Sequence, residues 1–151
     1  MKQLPAIGES VVADAGCGFG DLWLFMQERG VLPGSYIGID MLDVMVEEAR
    51  NRTGQRVLKR DLLKDPLPEA DWYLVSGTFN LMSRFETILA IRRCIDASAK
   101  GVVFNLLKGR GRSGAYSYWL PREIRRACRH FGRVTIYEGY LEGDFTVRIE
   151  C

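Results

Sequence analysis

One local pattern constrains the fold of this chain more than any other. A strand pattern at positions 11–14, Val-Val-Ala-Asp, leads into the sequence Gly-Cys-Gly-Phe-Gly at positions 16–20, and a helical pattern begins at Asp21. A buried strand that passes through glycines into a helix is typical of an α/β domain with a parallel sheet. Alternate glycines let the backbone turn sharply and approach a ligand, and the first N–H groups of a helix are free to bind it. The sequence therefore predicts a ligand-binding loop after the first strand.

The rest of the chain repeats this alternation of strands and helices. Strand patterns occupy positions 35–40, 55–61, 72–78 and 101–107, and helical patterns occupy 21–29, 42–52, 85–97 and 121–131. Positions 134–141 and 145–150 flank a Glu-Gly-Asp turn and predict an antiparallel hairpin, whereas the glycine- and arginine-rich segment 108–114 predicts a loop. We therefore expect one α/β domain over residues 1–151, with a mostly parallel seven-stranded sheet that ends in an antiparallel hairpin strand.

Composition excludes several other classes of protein. With 47% hydrophobic and 26% charged residues the chain can bury a core, which excludes intrinsic disorder. The longest apolar run near the start, positions 22–26, is far too short to cross a membrane, and positions 1–10 contain no apolar run of signal-peptide length. The four cysteines lie far apart, which argues against a zinc site or a disulfide framework. These observations predict a cytoplasmic protein with no metal and no membrane association.

Positive charge is concentrated in the later part of the chain. The net charge is +2, but positions 84–133 carry +9 and the remainder carries −7. Four arginines follow helical spacing and therefore share one helix face: Arg122, Arg125, Arg126 and Arg129. We interpret that face as solvent-exposed. The alternative is that the basic loop around Lys108 and Arg110, together with this face, binds phosphates, RNA or an acidic metabolite.

Each of the first three predicted strands ends in a carboxylate: Asp14, Asp40 and Asp61. The carboxyl ends of parallel strands form the edge at which open α/β sheets bind ligands. Asp14 precedes a G-x-G-x-G loop, whose spacing differs from the dinucleotide fingerprint G-x-G-x-x-G and disfavours a nicotinamide-dependent dehydrogenase. Asp40 follows Gly16 by 24 positions, where a carboxylate can accept hydrogen bonds from the hydroxyls of a ribose. The pattern predicts a nucleoside-containing ligand.

At these positions the sequence resembles the class I S-adenosylmethionine-dependent methyltransferases. VVADAGCGFG, YIGID, KRDLL and DWYLVSG look like motifs I to IV of that family, in that order, and the resemblance covers positions 10–150. VSGTFN, KGVVFNLL and DFTVRIE are also similar to a group of small bacterial methyltransferases of undefined substrate. The resemblance implies a Rossmann-like three-layer sandwich, S-adenosylmethionine as the cofactor and methyl transfer as the activity.

The resemblance also implies roles for individual residues. Around the methionine part of the cofactor it places Asp14, Gly16, Gly18 and Gly20. At the ribose and adenine it places Asp40, Met41, Asp61 and Leu62, with Leu62 supplying an N–H or an apolar wall, and beside the sulfonium it places Ser76 and Gly77. Cys17, inside the glycine loop, is also assigned to the cofactor site as a small side chain, and the lack of a histidine near it in sequence disfavours a catalytic thiol.

Residues just after the fourth and fifth predicted strands are candidates to contact the methyl acceptor: Phe79, Asn80, Asn105, Lys108, Tyr116, Tyr118 and Trp119. Asn80 is the catalytic candidate, because an amide can both donate and accept when it orients an acceptor. The alternatives are that Asn80 caps the next helix and that the aromatic residues pack in the core or a lid. His130 is expected at the surface. Methyl transfer depends mainly on positioning, and a general base is needed only for a poorly acidic hydroxyl or a protonated amine.

Only about ten residues precede the first strand, whereas members of the family usually carry helices there that cover the cofactor. We therefore expect an open site and an unidentified acceptor, with a small molecule favoured over nucleic acid. The alternatives are an RNA methyltransferase and a non-catalytic S-adenosylmethionine-binding module or subunit that acts with a partner. A homodimer or a partner subunit is also compatible with the open site.

Overall fold

The computed structural model describes residues 3–151. Its strands are β1 (Val11–Ala15), β2 (Ser35–Asp40), β3 (Arg56–Lys59), β4 (Ala70–Val75), β5 (Ser98–Lys108), β6 (Arg112–Ser113), β7 (Tyr116–Trp119), β8 (Arg133–Tyr137) and β9 (Asp144–Glu150). Its helices are α1 (Asp21–Arg29), α2 (Asp43–Thr53), α3 (Arg84–Ala97) and α4 (Pro121–Cys128), with a 3-10 helix at Thr78–Leu81. The predicted domain range includes residues 1 and 2, which lie outside the described residues.

The sheet confirms the predicted class. Five parallel strands lie in the order β3-β2-β1-β4-β5, and β9 then pairs antiparallel with β5 and with β8. The terminal hairpin is therefore part of the main sheet, as the sequence indicates. The strand count was wrong, because the described residues contain nine strands instead of seven. The two additional strands are β6 and β7.

The predicted loop at 108–114 is in fact partly a second hairpin. β6 pairs antiparallel with β7, with Arg112 opposite Ser117 and Ser113 opposite Tyr116. Gly114, with a φ of 60°, begins the two-residue turn between them. β7 also pairs in parallel with the end of β5 at Leu107 and Lys108, where β5 extends past the last residue of β4. The sequence did not predict this hairpin, because its first strand lies in the glycine- and arginine-rich segment and only β7 has the alternating pattern of a half-buried strand.

Three of the predicted strands end earlier than expected: β8 stops at Tyr137 and not at position 141, and β3 and β4 also stop short. β3 stops at Lys59 and not at Asp61, because the chain turns at Asp61, whose carbonyl accepts from the N–H groups of Lys64 and Asp65. β4 stops at Val75 and not at Thr78, because Gly77 adopts a left-handed conformation with a φ of 79° and begins the 3-10 helix. Because β3 and β4 end early, the polar residues after them lie in turns at the carboxyl edge of the sheet and not in strands.

Helices cover both faces of the sheet, which gives the predicted three layers. Neighbouring residues of a strand point to opposite faces. Trp72 and Leu74 of β4 therefore pack with α1, whereas Tyr73 packs in the larger core with α3 and α4. A smaller cluster under α2 contains Cys17, Val46, Ala49 and Val57.

The strand order determines what meets at the carboxyl edge of the parallel strands. The glycine loop follows β1, Asp40 is the last residue of β2, and Ser76 directly follows β4. Because β9 runs antiparallel to β5, it starts at this same edge, with Asp144 opposite Leu107. The turn between β8 and β9 therefore lies beside the loops after β4 and β5.

Candidate functional site

The glycines of the loop at 16–20 serve two different purposes. A Cβ on Gly16, whose φ is 72°, would lie 1.9 Å from Thr78 Oγ1, and one on Gly20 would lie 2.5 Å from Thr53 Cγ2. These two glycines allow close packing of the loop against its neighbours. Gly18, with a φ of 54°, has no atom within 4 Å of the position of a Cβ. Its open side leaves room for a ligand.

Asp40 accepts backbone hydrogen bonds with both of its carboxylate oxygens, and one of these bonds holds the glycine loop in place. Oδ2 accepts a hydrogen bond from the N–H of Gly18 at 3.0 Å, and Oδ1 accepts one from the N–H of Leu42 at 3.0 Å. The carbonyl of Ile39 accepts from the N–H groups of Gly16 and Cys17 at 2.7 and 2.9 Å. Since a carboxylate has about four acceptor positions, Asp40 retains capacity for a ligand while it fixes the loop.

Asp14 is a buried carboxylate beside this loop. Its side chain is only 1% exposed, and its Oδ2 accepts a hydrogen bond of 2.6 Å from the hydroxyl of Tyr36. Burial raises the pKa of Asp14 to about 6, an effect that the Tyr36 hydrogen bond opposes and the charge of Asp40 reinforces. The negative charge of Asp14 is therefore costly in the free protein, and a cation next to it would lower that cost.

A cleft of about 570 Å³ opens above the loop; we call it the glycine-loop cleft. Its lining residues come mainly from the loop and from α1: Asp14, Gly16, Cys17, Gly18, Phe19, Asp21, Leu22, Phe25, Met45 and Ser76. Five residues that the sequence assigned to the cofactor are thus brought together there: Asp14, Gly16, Cys17, Gly18 and Ser76.

The other residues assigned to the cofactor lie outside this lining. Gly20 and Gly77 precede α1 and the 3-10 helix, Asp40 binds the loop, and Met41 is 56% exposed beside it. Asp61 is half-buried in the turn after β3, where its Oδ1 accepts from the N–H of Leu63 at 2.8 Å. The side chain of Leu62 is buried in the larger core.

Cys17 is a packing residue in this structure. Its thiol belongs to the buried cluster under α2, and a Cβ on Gly38 would lie 3.1 Å from its Sγ. Burial raises the pKa of the Cys17 thiol to about 12, and the charges of Asp14 and Asp40 add to the effect. The thiol is therefore protonated at neutral pH and is a poor nucleophile.

A second cleft, of about 380 Å³, adjoins the first and shares Leu22, Phe25 and Ser76 with it. We call it the hairpin cleft, because the turn and strand at the end of the chain form one wall. It is lined by Gln3, Leu4, Leu22, Phe25, Leu74, Val75, Ser76, Val103, Phe104, Asn105, Tyr140, Asp144 and Thr146.

The polar side chains of the hairpin cleft form short hydrogen-bonded chains. The Oδ1 of Asn105 accepts from the N–H of Gly77 at 2.7 Å, and its Nδ2 donates to Oδ2 of Asp144 at 3.2 Å. The hydroxyls of Tyr140 and Thr146 lie 2.7 Å apart. Asn105 thus connects Gly77, the residue after Ser76, with the carboxylate of Asp144 on the neighbouring strand β9.

Of the residues predicted to contact an acceptor, only Asn105 lines either cleft. Phe79 is fully buried, and the Oδ1 of Asn80 accepts from the N–H of Leu107 at 3.2 Å. Asn80 does not cap α3, because Ser83 and Glu86 form that cap. Lys108 pairs with Glu138 at 2.9 Å, and the ring of Trp119 lies under the guanidinium of Arg84.

A third depression, which we call the arginine groove, lies between α4 and β8. It has a volume of about 600 Å³ and is lined by Pro121, Arg122, Arg125, Arg126, Arg129, Gly132, Val134, Ile136 and Glu138. The predicted arginine face is therefore confirmed, and all four side chains are exposed. Arg125 donates to the carbonyl of Val134 at 3.0 Å.

Sequence reasoning missed Tyr140, Asp144 and Thr146. The sequence placed Tyr140 in the first strand of the terminal hairpin, Asp144 in its turn and Thr146 in its second strand, and assigned a site to none of them, although an antiparallel last strand must begin at the ligand edge of the sheet. That topological argument was the available signal.

No helix among the described residues is long and apolar enough to cross a membrane, and no group of three or more potential metal ligands occurs among them.

Comparison with known proteins identifies the family. The family model described as a methyltransferase domain matches residues 12–101, and the chain belongs to this family. S-adenosylmethionine is bound in one solved structure with the same fold, that of a magnesium protoporphyrin IX methyltransferase. No curated protein matches the sequence significantly.

Several solved structures share the fold at low sequence identity. An S-adenosylmethionine-dependent methyltransferase from Mesorhizobium loti is 17% identical, with a TM-score of 0.78 over 99% of this chain and 94% of that chain. Magnesium protoporphyrin IX methyltransferase from Synechocystis, with S-adenosylhomocysteine bound, is 15% identical, with a TM-score of 0.75 over 94% and 74%. A chain in a complex that contains the Haloferax volcanii Trm112 methyltransferase activator is 16% identical, with a TM-score of 0.76 over 99% and 85%.

Proposed function

We propose that this protein transfers the methyl group of S-adenosylmethionine to a small acceptor molecule bound in the hairpin cleft. The observation that carries the proposal is the shared wall of the two clefts. Leu22, Phe25 and Ser76 line both, so ligands in the two clefts would meet there. The volume of the hairpin cleft, about 380 Å³, suits a small molecule.

In this proposal the glycine-loop cleft holds the cofactor. Asp14 receives the α-ammonium group, which compensates its buried charge, and the open side of Gly18 admits the amino-acid part. Asp40 binds the ribose hydroxyls with its remaining acceptor capacity, and Met41 packs near the adenine. The remaining residues assigned from the sequence, Gly16, Cys17, Gly20, Asp61, Leu62 and Gly77, shape the loops around it. The cofactor supplies a methyl group activated by a sulfonium.

The protein itself mainly positions the acceptor in line with the methyl group, because orientation is the dominant contribution to such a displacement. Ser76 and Gly77 lie where the two clefts meet, and Asn105 holds the N–H of Gly77. Asn80 acts indirectly in this proposal, because its amide oxygen holds the end of β5 through Leu107.

An activating partner is a second proposal. The solved complex with the Trm112 activator shows that a methyltransferase with this fold assembles with another chain. A partner protein that covers the two clefts is one candidate, and a second copy of this chain is the other candidate. We also propose a cytoplasmic location, because the four cysteines lie far apart in the sequence and do not form the pattern of a disulfide framework.

Calorimetry with a matched pair of glycine variants tests the cofactor site. Gly18 and Gly54 both have positive φ, 54° and 67°, and neither has an atom within 4 Å of a Cβ position. Each change to alanine should therefore cost about 1–2 kcal/mol of stability. Only Gly18 lines the glycine-loop cleft, so Gly18→Ala should weaken S-adenosylhomocysteine binding at least tenfold, whereas Gly54→Ala should not.

The wild-type protein should bind S-adenosylhomocysteine in the micromolar range and bind NAD much more weakly. Tighter binding of NAD would contradict the assignment. Equal losses of affinity in the two glycine variants would show that Gly18 acts only through backbone strain.

A further inference from the structure

We propose that the acceptor atom is an amine nitrogen, held against the carboxylate of Asp144, with Asn105 as the positioning residue for that carboxylate. This inference rests on the methyl transfer proposed above and names the class of its substrate. It starts from the charges of the hairpin cleft. Of the thirteen lining residues, Asp144 is the only one with a formal charge at neutral pH, and none is Lys, Arg or His.

Asp144 is fixed by the sheet and by its neighbours. It begins β9 opposite Leu107, and its side chain is half-buried. Oδ1 accepts from the N–H of Phe145 at 3.1 Å, and Oδ2 accepts from Nδ2 of Asn105 at 3.2 Å. Each oxygen keeps acceptor capacity for an N–H group of a ligand.

Asn105 links this carboxylate to the cofactor side. Its oxygen accepts from the N–H of Gly77 at 2.7 Å, and its NH₂ group donates to Asp144. The oxygen of the Asn105 amide must face the N–H donor, and its nitrogen must face the carboxylate, so the two partners determine the orientation of the amide group. Asn105 therefore holds Asp144 at a set position relative to the junction of the clefts, beside Ser76.

Among residues 3–151, the cations near the hairpin cleft do not neutralise Asp144. Lys108 is paired with Glu138 at 2.9 Å, and neither residue lines the hairpin cleft. The guanidinium of Arg29 lies 5.1 Å from the centre of the Phe25 ring, outside the lining residues. The site therefore favours a neutral or cationic acceptor and repels carboxylates, phosphates and thiolates.

The remaining walls suit the body of such an amine. Leu4, Leu22, Phe25 and Val103 offer apolar surface. Burial raises the pKa of Tyr140, so its hydroxyl stays neutral and can donate or accept a hydrogen bond. An amine attached to an apolar or aromatic group matches this combination of one carboxylate, one hydroxyl and an apolar wall.

The charge on Asp144 also fits the reaction. The acceptor ammonium first loses a proton to water, which gives nitrogen a free electron pair. That pair forms the bond to the methyl carbon as the carbon–sulfur bond breaks, and the electrons of the broken bond stay on sulfur. Positive charge moves from sulfur to nitrogen, where the carboxylate of Asp144 stabilises it. The methylated ammonium then releases a proton to water.

The test compares three probes that share a phenyl ring and differ in their head group: phenethylamine, 2-phenylethanol and 3-phenylpropionate. Each is titrated by calorimetry into protein saturated with S-adenosylhomocysteine. Wild type should bind the amine at least tenfold more tightly than the alcohol, and the acid least. Asp144→Asn should reduce amine affinity to that of the alcohol. Glu142→Gln, a change at an exposed position on the same turn and outside the lining, should keep the wild-type preference.

Asn105→Ala tests the positioning role. Loss of its hydrogen bonds should reduce the preference for the amine over the alcohol, whereas a merely structural role would weaken both probes equally. The affinity for S-adenosylhomocysteine, measured on every variant, reports whether the fold and the cofactor site survive.

The outcomes separate the two proposals. A wild type that binds no S-adenosylhomocysteine contradicts the proposed function. A wild type that binds it but binds the amine no better than the alcohol, or does not bind the amine at all, overturns the amine assignment. An unchanged amine preference in Asp144→Asn overturns it as well.

Discussion

The glycine-loop cleft and the hairpin cleft share a wall but are built differently. Backbone geometry makes the first: three left-handed glycines, two N–H groups held by one carbonyl, and a carboxylate that binds the loop. Side chains make the second, with Asn105, Tyr140 and Asp144 contributed by two strands and a turn. A backbone-built site tolerates little change, whereas a side-chain site can be altered residue by residue.

The largest effect should come from the packed side of the loop. Gly16→Ala places a Cβ 1.9 Å from Thr78 Oγ1 at a φ of 72°, so strain and overlap act together. We expect a loss of roughly 2–5 kcal/mol in the free energy of unfolding, measured by urea denaturation.

The double variant Gly16→Ala/Thr78→Ala should recover part of that loss, because it removes the hydroxyl and methyl group that the Cβ meets. A single variant that unfolds like wild type would show that the loop is not constrained by packing, and the contrast between the clefts would fail.

The buried carboxylate of the glycine-loop cleft should make stability depend on pH. The folded-state pKa of Asp14, about 6, lies above its ordinary value of 3.8, so its contribution is most favourable below pH 4 and declines as pH rises through 6. The decline should be on the order of 2–3 kcal/mol. Asp14→Asn should remove it, which urea unfolding of both proteins between pH 4 and pH 8 would reveal.

Ionisation of Asp14 should also make the affinity for the ligand depend on pH. Because the ammonium of S-adenosylhomocysteine favours the charged carboxylate, its affinity for wild type should rise as pH increases through about 6. A flat profile in wild type would remove Asp14 from the ammonium site.

A smaller effect is expected at the end of β2. Asp40→Ala should weaken S-adenosylhomocysteine binding by roughly 1.5–3 kcal/mol, the usual size for hydrogen bonds to a charged group. Asp43→Ala is the control, since Asp43 is an exposed carboxylate paired with Lys59 on the outside of α2. Calorimetry should show an unchanged dissociation constant for the control. An unchanged constant for Asp40→Ala, in a folded protein, would remove Asp40 from the site.

The smallest effect should come from the arginine groove, which lines neither cleft. Replacing its four arginines by alanine should leave S-adenosylhomocysteine binding unchanged. If the acceptor is a small molecule, wild type should show no measurable RNA affinity at low salt. Measurable RNA binding whose log–log salt dependence flattens by about 3–4 in the variant would instead establish a phosphate-binding surface and favour a nucleic-acid acceptor.

The difference between the clefts also explains what the sequence could predict. The loop at 16–20, the carboxylates Asp14 and Asp40, and the succession of strands follow local patterns that are visible within a few residues. The β6–β7 hairpin was missed because glycines and arginines obscured its alternation. Asp144 was missed because its position depends on the pairing of β9 with β5, a contact between residues far apart in the chain.

The order of the two clefts along the chain has an evolutionary consequence. The glycine-loop cleft uses residues 14–76, whereas most of the polar residues of the hairpin cleft lie between positions 105 and 146. Under the proposed roles of the two clefts, mutations in the last third of the chain would therefore redirect the protein to a new acceptor and leave cofactor recognition intact. Recombination that exchanges only the end of the coding sequence would achieve the same change in one step.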